Sequence, residues 1–328
     1  MAVQQARETR VPVAPGGWRG PAIAGCVALA LLLLPSLISE SFVVYIETLV
    51  LLNIIGAMSL HLILRTGQMS MGHAAFLGIG SYTSVLCMMS LGLPWIVGFI
   101  LAGALSALVA LVVGPIILRL RGVYFVLVTF TFGEMIRLGM VEWAGLTGGS
   151  NGIFQIPPPW PALARPEYYY YLALVVAGAC VLFARRLLAS DFGHAMDAIK
   201  ESETLAEASG IPVFRIKVVV FAIACAMIGL QGSLTAHFVH FIAPNSFTFE
   251  TSLQFVVINV IGGLGSMWGP IVGTVFMVAL PELLRGWAQY QWFLYGIALV
   301  LVMAYLPGGL IQLGSRLAEL IRGKRESA

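Results

Sequence analysis

Residues 41–64 form an apolar run interrupted by one charged side chain, Glu47, and nine further runs of similar character occur along the chain. A helix needs about 20 mostly apolar residues to cross roughly 30 Å of hydrocarbon. The candidate spans are about 22–38, 41–64, 74–91, 93–118, 123–141, 168–184, 216–238, 252–263, 267–284 and 291–306. Those at 41–64 and 93–118 are long enough to tilt. Those at 252–263 and 267–284 are short and flank a glycine-rich break at Gly262, Gly263, Gly265 and Gly269. The runs are continuous rather than alternating, which argues against a β-barrel. The expectation is an all-α integral membrane protein of about ten transmembrane helices.

Composition agrees. A chain of 328 residues would ordinarily suggest two soluble domains, but 59% of it is apolar and only 10% is charged. That is too little charge to cover a soluble surface. A net charge of +3 gives no electrostatic footprint for nucleic acid.

Orientation follows from the basic residues, which concentrate on the cytoplasmic side of membrane proteins. With ten spans and a cytoplasmic N-terminus, 15 of the 18 Lys and Arg residues fall inside. Arg165 and Arg285 fall outside, and Arg137 lies within a span. Both termini are then cytoplasmic. The chain divides into an N-terminal segment 1–21, a transmembrane domain 22–306 and a C-terminal tail 307–328. Residues 142–167 form an outer loop and 185–217 an inner one. Trp95, Trp143, Trp160, Trp287, Trp292 and Tyr168 to Tyr171 would form an outer aromatic belt. Arg7, Arg10 and Arg19 precede the first apolar run, but no small-residue cleavage site follows, so that run reads as a retained helix. Cys26, Cys87, Cys180 and Cys225 all lie in spans and read as small core side chains rather than a metal or disulfide set.

No Gly-x4-Gly-Lys-Ser/Thr phosphate loop and no His-Glu-x-x-His occurs. The string Gly148-Gly149-Ser150-Asn151-Gly152 matches Gly-x-Ser-x-Gly, but it lies in the outer loop before three prolines and reads as a glycine-rich turn.

Three segments carry chemistry. The inner loop 185–217 holds ten charged residues in a tenth of the length. Asp191 and Ser202 are candidate caps for two short helices, and Gly210 with Pro212 a stop. Ala195, Ala198, Ile199, Leu205, Ala206 and Ala208 supply an apolar side, which either covers the protein's own base or receives a cytosolic partner. The second segment, Gly67-Gln68-Met69-Ser70-Met71-Gly72-His73, reads as a broken helix, whose freed backbone groups are tolerated only against protein or a water-filled path. Ala75, Gly78, Gly80 and Ser81 then give a small-residue packing face. Gly265-Ser266-Met267-Trp268-Gly269 echoes this break. The third is a set of polar groups at membrane depth, Glu47, Ser81, Glu134, Arg137, Gln231, Asn259 and His237, which suggest a pathway or interhelical hydrogen bonds. Glu134 and Arg137 stand three apart on one helix face, close enough to pair, although Arg137 is also near enough to the outer end to snorkel.

Gly67-Gln68-x-Ser70-x-Gly72-x-x-Ala75-Phe76-x-Gly78-x-Gly80-x-Tyr82 resembles the glycine-rich segment of ABC importer permeases for branched-chain amino acids. Arg121-Gly122-x-Tyr124-Phe125, Leu146 to Gly152, and Gly262-Gly263-x-Gly265-Ser266-x-Trp268-Gly269-Pro270 do so too, in the order of the LivM branch, over about 43–306. The resemblance implies a non-enzymatic transport subunit of a bacterial inner-membrane importer, working by alternating access. Its partners would be a LivH-like permease, two cytosolic ATPases and a periplasmic binding protein. ATP and Mg would be used by the ATPases, with no cofactor on this chain. It assigns the inner loop to ATPase coupling, with Asp191, Gly193, Ala198, Glu203, Glu207 and Gly210 as its candidate residues. Relatives often carry basic residues where this loop has His194 and Asp197. Relatives also move urea, short amides or aromatic acids. The competing class is an ion-coupled secondary transporter, in which Glu134 and Glu47 would serve as coupling groups.

Overall fold

The computed structural model describes residues 41–283 and, beyond them, residues 290, 293, 296, 297, 300 and 309–311. The expected first and tenth spans, both terminal segments, Trp287 and Trp292 lie outside the described residues, wholly or nearly so. The remaining eight expected spans are all helices. They are α1 (Ser41–Leu64), α2 (His73–Met89), α3 (Trp95–Ile117), α4 (Val123–Glu142), α6 (Pro166–Leu188), α9 (Val213–Val239), α10 (Phe249–Gly262) and α11 (Gly269–Leu283). Three short helices lie outside them: α5 (Ala144–Thr147), α7 (Asp191–Glu201) and α8 (Glu203–Ala208). Among the described residues, five helices are long and apolar enough to cross a membrane: α1, α3, α4, α6 and α9. The total of ten is therefore not established by the described residues. α2 and α10 fall short of the crossing length and each adjoins a glycine break, while α11 is described only as far as Leu283.

α1 and α9 form the interior, and α2, α3, α6, α10 and α11 pack around them. Close approach depends on missing side chains. A Cβ at Gly80 would fall on the Gly229 backbone, one at Gly229 on Ser106, and one at Gly232 on the Leu77 carbonyl. These small-residue crossings of α9 with α2 and α3 replace the hydrophobic drive that lipid does not supply. Ser81 belongs to this crossing: its hydroxyl donates to the Leu77 carbonyl at 2.8 Å.

The loop 142–167 is fastened to the end of α9. Strands β1 (Ile153–Phe154) and β2 (Phe241–Ile242) pair antiparallel. His237 Nδ1 donates to the Pro157 carbonyl at 2.7 Å, and His240 Nδ1 to the Ile156 carbonyl at 2.7 Å. Ser84 then donates to His237 Nε2 at 3.1 Å while accepting from Ser233 at 2.6 Å. Residues 148–152 form a turn with Gly148, Gly149 and Gly152 at positive φ, as the sequence reading holds. The aromatic belt needs correction. Trp143, Trp160 and Tyr168 are exposed, but Trp95, Tyr169 and Tyr170 are buried. Trp95 packs on Phe99, Trp160 and His237, and Tyr169 donates from its hydroxyl to the Leu234 carbonyl at 2.7 Å. Cys87, Cys180 and Cys225 are buried free thiols, and Cys26 lies outside the described residues.

Candidate functional site

Chain from Gln68 to Gly72 is not helical. It leaves the end of α1 beside Lys200 of α7, where Gly67 takes a φ of +77°. It then climbs into the helix bundle. The Met71 N–H donates to Thr129 Oγ1 at 3.1 Å, and Gly72 lies so close that a Cβ would strike the Thr129 carbonyl. Thr129 and Gly133 stand six and ten residues into α4, or about 9 and 15 Å along its axis at 1.5 Å per residue. The break thus brings the N-terminus of α2 alongside the middle of α4 rather than to its end. There the Ala74 N–H donates to Ser252 Oγ at 2.9 Å, in the first turn of α10.

Three elements meet at that depth: the start of α2, the middle of α4 and the start of α10. Met71, Ala74, Phe130, Glu134, Phe249 and Ser252 are among the residues lining the cleft between them. Glu134 and Arg137 are paired, Arg137 Nε donating to Glu134 Oε2 at 2.7 Å. Arg137 Nη1 also donates to Asn245 Oδ1 at 3.4 Å, which directs the guanidinium across to the segment before α10. Glu134 lines the cleft with Arg137 paired to it just outside, and the N-termini of α2 and α10 border it with their partial positive charge. Groups of both signs at membrane depth are costly to hold against lipid. α4 nevertheless buries only Phe125, Thr129 and Phe132, and leaves Thr131 and Gly139 exposed on the outer side of the helix.

The other polar residues are placed elsewhere. Asn259 donates from Nδ2 to the Ala57 and Phe255 carbonyls, both at 2.9 Å, and accepts from His61 Nδ1 at 3.2 Å. It joins α10 to α1. Gln231 is buried against Gly56, with its Oε1 unpartnered. Glu47 is half-buried near the N-terminus of α1 and does not line the cleft. Of the seven sequence candidates, Glu134 and Arg137 are the two that the described contacts show bonded to each other. Sequence reading missed His73, which is fully buried and donates from Nε2 to Ser59 Oγ at 2.7 Å, because Ser59 spends its own proton on the Gly56 carbonyl. The second break closes on itself: Gly263 has a φ of +113° and Gly269 packs on the Gly263 carbonyl. Gly265 has open space around it, so nothing at that position requires glycine.

The inner loop is α7 and α8. Asp191 is the first residue of α7, not its cap; the cap position is Ser190, and Asp191 instead places its charge in the favourable first turn. Ser202 does cap α8, accepting from the Leu205 N–H at 3.3 Å. Gly210 takes a φ of +83° in open space. Met196, Ile199 and Ala206 are buried with Val213 and Ile216, so the apolar side covers the protein's own base. Gly193 permits this packing, since a Cβ would meet the Leu188 carbonyl. Ala198 is half-buried, while Asp191, Glu207 and Leu205 face outward, Leu205 at 68% exposure. Glu203 pairs with Arg121 at 2.9 Å and with Lys217, and Asp197 pairs with Arg65. Among the described residues no group of His, Cys, Asp and Glu is arranged to hold a metal.

An interrupted-helix bundle with charged groups inside and a helical loop on one face is the architecture of a membrane transport subunit. The chain belongs to the family described as branched-chain amino acid transport system permease component, whose model matches residues 42–306. It is 32% identical over 293 residues to the high-affinity branched-chain amino acid transport system permease protein LivM of Salmonella typhimurium, covering 81% of this chain and 69% of that protein. The LivM protein of Escherichia coli K12 is 31% identical over the same shares. The probable LivM permease of Methanocaldococcus jannaschii is 26% identical, covering 65% of this chain and 68% of its own length. No solved structure matches the chain.

Proposed function

We propose that this permease imports branched-chain amino acids across a bacterial inner membrane, driven by ATP that partner subunits hydrolyse. A periplasmic binding protein delivers the substrate. A LivH-like second permease completes the path, and two cytosolic ATPases with ATP and Mg act through α7 and α8. The chain itself binds no cofactor. Its loop 142–167 faces the periplasm, and its loop 185–217 and both termini face the cytoplasm.

The observation that carries the reading is the cleft at the start of α2, beside the Glu134–Arg137 pair. The cleft is closed in this structure, too tight to admit a water molecule, and Glu134 is paired with Arg137. On opening, it would present the Glu134 carboxylate to an amino acid's ammonium, and the neighbouring Arg137 guanidinium and the helix N-termini to its carboxylate. The Phe130 and Phe249 rings, 5.1 Å apart edge to face, give an aliphatic side chain an apolar wall. Alternating access then amounts to opening this cleft toward one side at a time.

Cells lacking the chain should lose uptake of tritiated leucine and regain it when the chain is restored. Excess isoleucine and valine should compete, whereas urea and benzoate should not. Competition by urea or benzoate with none by valine would assign a different cargo.

A further inference from the structure

The inner loop touches the rest of the chain in two physically different ways. Covalent continuity joins α7 to α6 and α8 to α9. Neither α1 nor α4 is continuous with it. Apolar packing through Met196, Ile199 and Ala206 seats the loop but is non-directional, so it permits sliding. The directional links to α1 and to the turn before α4 are ion pairs: Asp197 with Arg65, and Glu203 with Arg121. Glu203 also meets Lys217, a buried cation on α9, itself continuous with the loop.

Arg65 is a continuation of α1. Its N–H bonds the His61 carbonyl at 3.0 Å, and its side chain is only 19% exposed. One turn back, His61 is fully buried and donates to Asn259 of α10. Asn259 in turn holds the Ala57 carbonyl of α1 and the Phe255 carbonyl of its own helix. An unbroken line of hydrogen bonds therefore runs from α7 through the last turn of α1 into α10. Seven residues before Asn259, the same helix holds the start of α2 through Ser252.

We propose that Asp197 and Arg65 are positioning residues that transmit the displacement of α7 to α1 and, through His61 and Asn259, to α10 beside the cleft. The proposal rests on the ATP-driven reading above. The pair is partly exposed and its net contribution to stability is small; its importance is that it is directional. Without it, a moving α7 slides on its apolar seat, and ATP is hydrolysed without the cleft responding.

The test uses the complete importer in proteoliposomes, with its second permease, ATPases and binding protein, and tritiated leucine as the probe. The quantity read is ATP hydrolysed per leucine imported, normalised to inserted protein. Arg65→Gln and Asp197→Asn should each raise that ratio by about fivefold or more, in the range of couplings between contacting residues. The exchange Arg65→Asp with Asp197→Arg should bring it back to within about twofold of wild type. Glu201→Gln, which removes an exposed charge from the same helix, should leave it unchanged. In a background lacking native cysteines, Gln254→Cys on the exposed side of α10 should show ATP-dependent thiol labelling that Asp197→Asn abolishes. Single variants that insert poorly yet keep the wild-type ratio would make the pair merely structural and overturn the proposal. So would an exchange no better than the worse single change, or ATP-dependent labelling that survives Asp197→Asn. Wild-type vesicles that import without ATP would instead overturn the function itself.

Discussion

The guanidinium of Arg137 donates to the carboxylate of Glu134 one turn earlier on α4, at 2.7 Å, and reaches Asn245 at 3.4 Å with another nitrogen. Each charge makes the other tolerable at membrane depth. Removing one strands its partner, which costs more than removing both. Glu134→Gln and Arg137→Gln should each lower leucine uptake by about tenfold, equivalent to roughly 1.4 kcal/mol. The double change should be no worse than the poorer single. Uptake per amount of inserted protein decides it. Two independent defects that multiply would show that the residues do not act as a pair, and Arg137 would then be a snorkelling side chain.

Gly80 and Gly229 bring α2 and α9 into backbone contact. Gly80→Val places a Cβ on the Gly229 backbone and must push the helices apart. Overpacking of this kind costs about 1–3 kcal/mol. The thermal midpoint of the purified permease in detergent should fall by several degrees, with less folded protein recovered. Gly139→Val on the exposed side of α4, where a Cβ meets nothing within 4 Å, should leave the midpoint unchanged. Equal midpoints for the two variants would reject the packing account of α2 and α9.

Gly210 ends the inner loop at a φ of +83° with open space around it, so the cost of a side chain there is conformational rather than steric. A β-branched residue at that φ costs about 1–2 kcal/mol. Gly210→Val should insert normally while reducing leucine-stimulated ATP hydrolysis by about half or more. Gly210→Asn, which tolerates the left-handed region better, should fall between. Stimulation equal to wild type in both would make the loop a plain connector.

The topology makes opposite faces of two exposed positions. In a cysteine-free background, Ser150→Cys in the loop 142–167 should label from the periplasmic side, and Ala208→Cys in α8 from the cytoplasmic side only. Labelling of both from one side would reject the orientation deduced from the basic residues.

Eight expected spans became helices because an apolar run of that length leaves a chain in lipid few alternatives to intrasegment hydrogen bonding. Glu134 and Arg137 were legible as a pair because a spacing of three on one helix is a local fact. What was not legible is everything set by packing between distant segments. The depth reached by Gly72 depends on Thr129 and Gly133, and the partner of Asp197 is 132 residues away. Trp95, Tyr169 and Tyr170 carry the residue types of a membrane interface, yet they are buried, Trp95 against Trp160 of the loop 142–167 and Tyr169 against α9. Composition cannot distinguish an aromatic ring under a loop from one facing headgroups. Ser190 took the cap position from Asp191 by one residue, a margin within which capping signals overlap.

The central claim is that ATP, rather than an ion gradient, drives movement through this chain. It is tested by leucine accumulation in proteoliposomes containing the permease pair and loaded binding protein, with the ATPases present or omitted. The account predicts accumulation only when the ATPases and internal MgATP are both present, and none when a proton or sodium gradient is imposed without them. Concentrative uptake driven by either gradient in vesicles lacking the ATPases would contradict it.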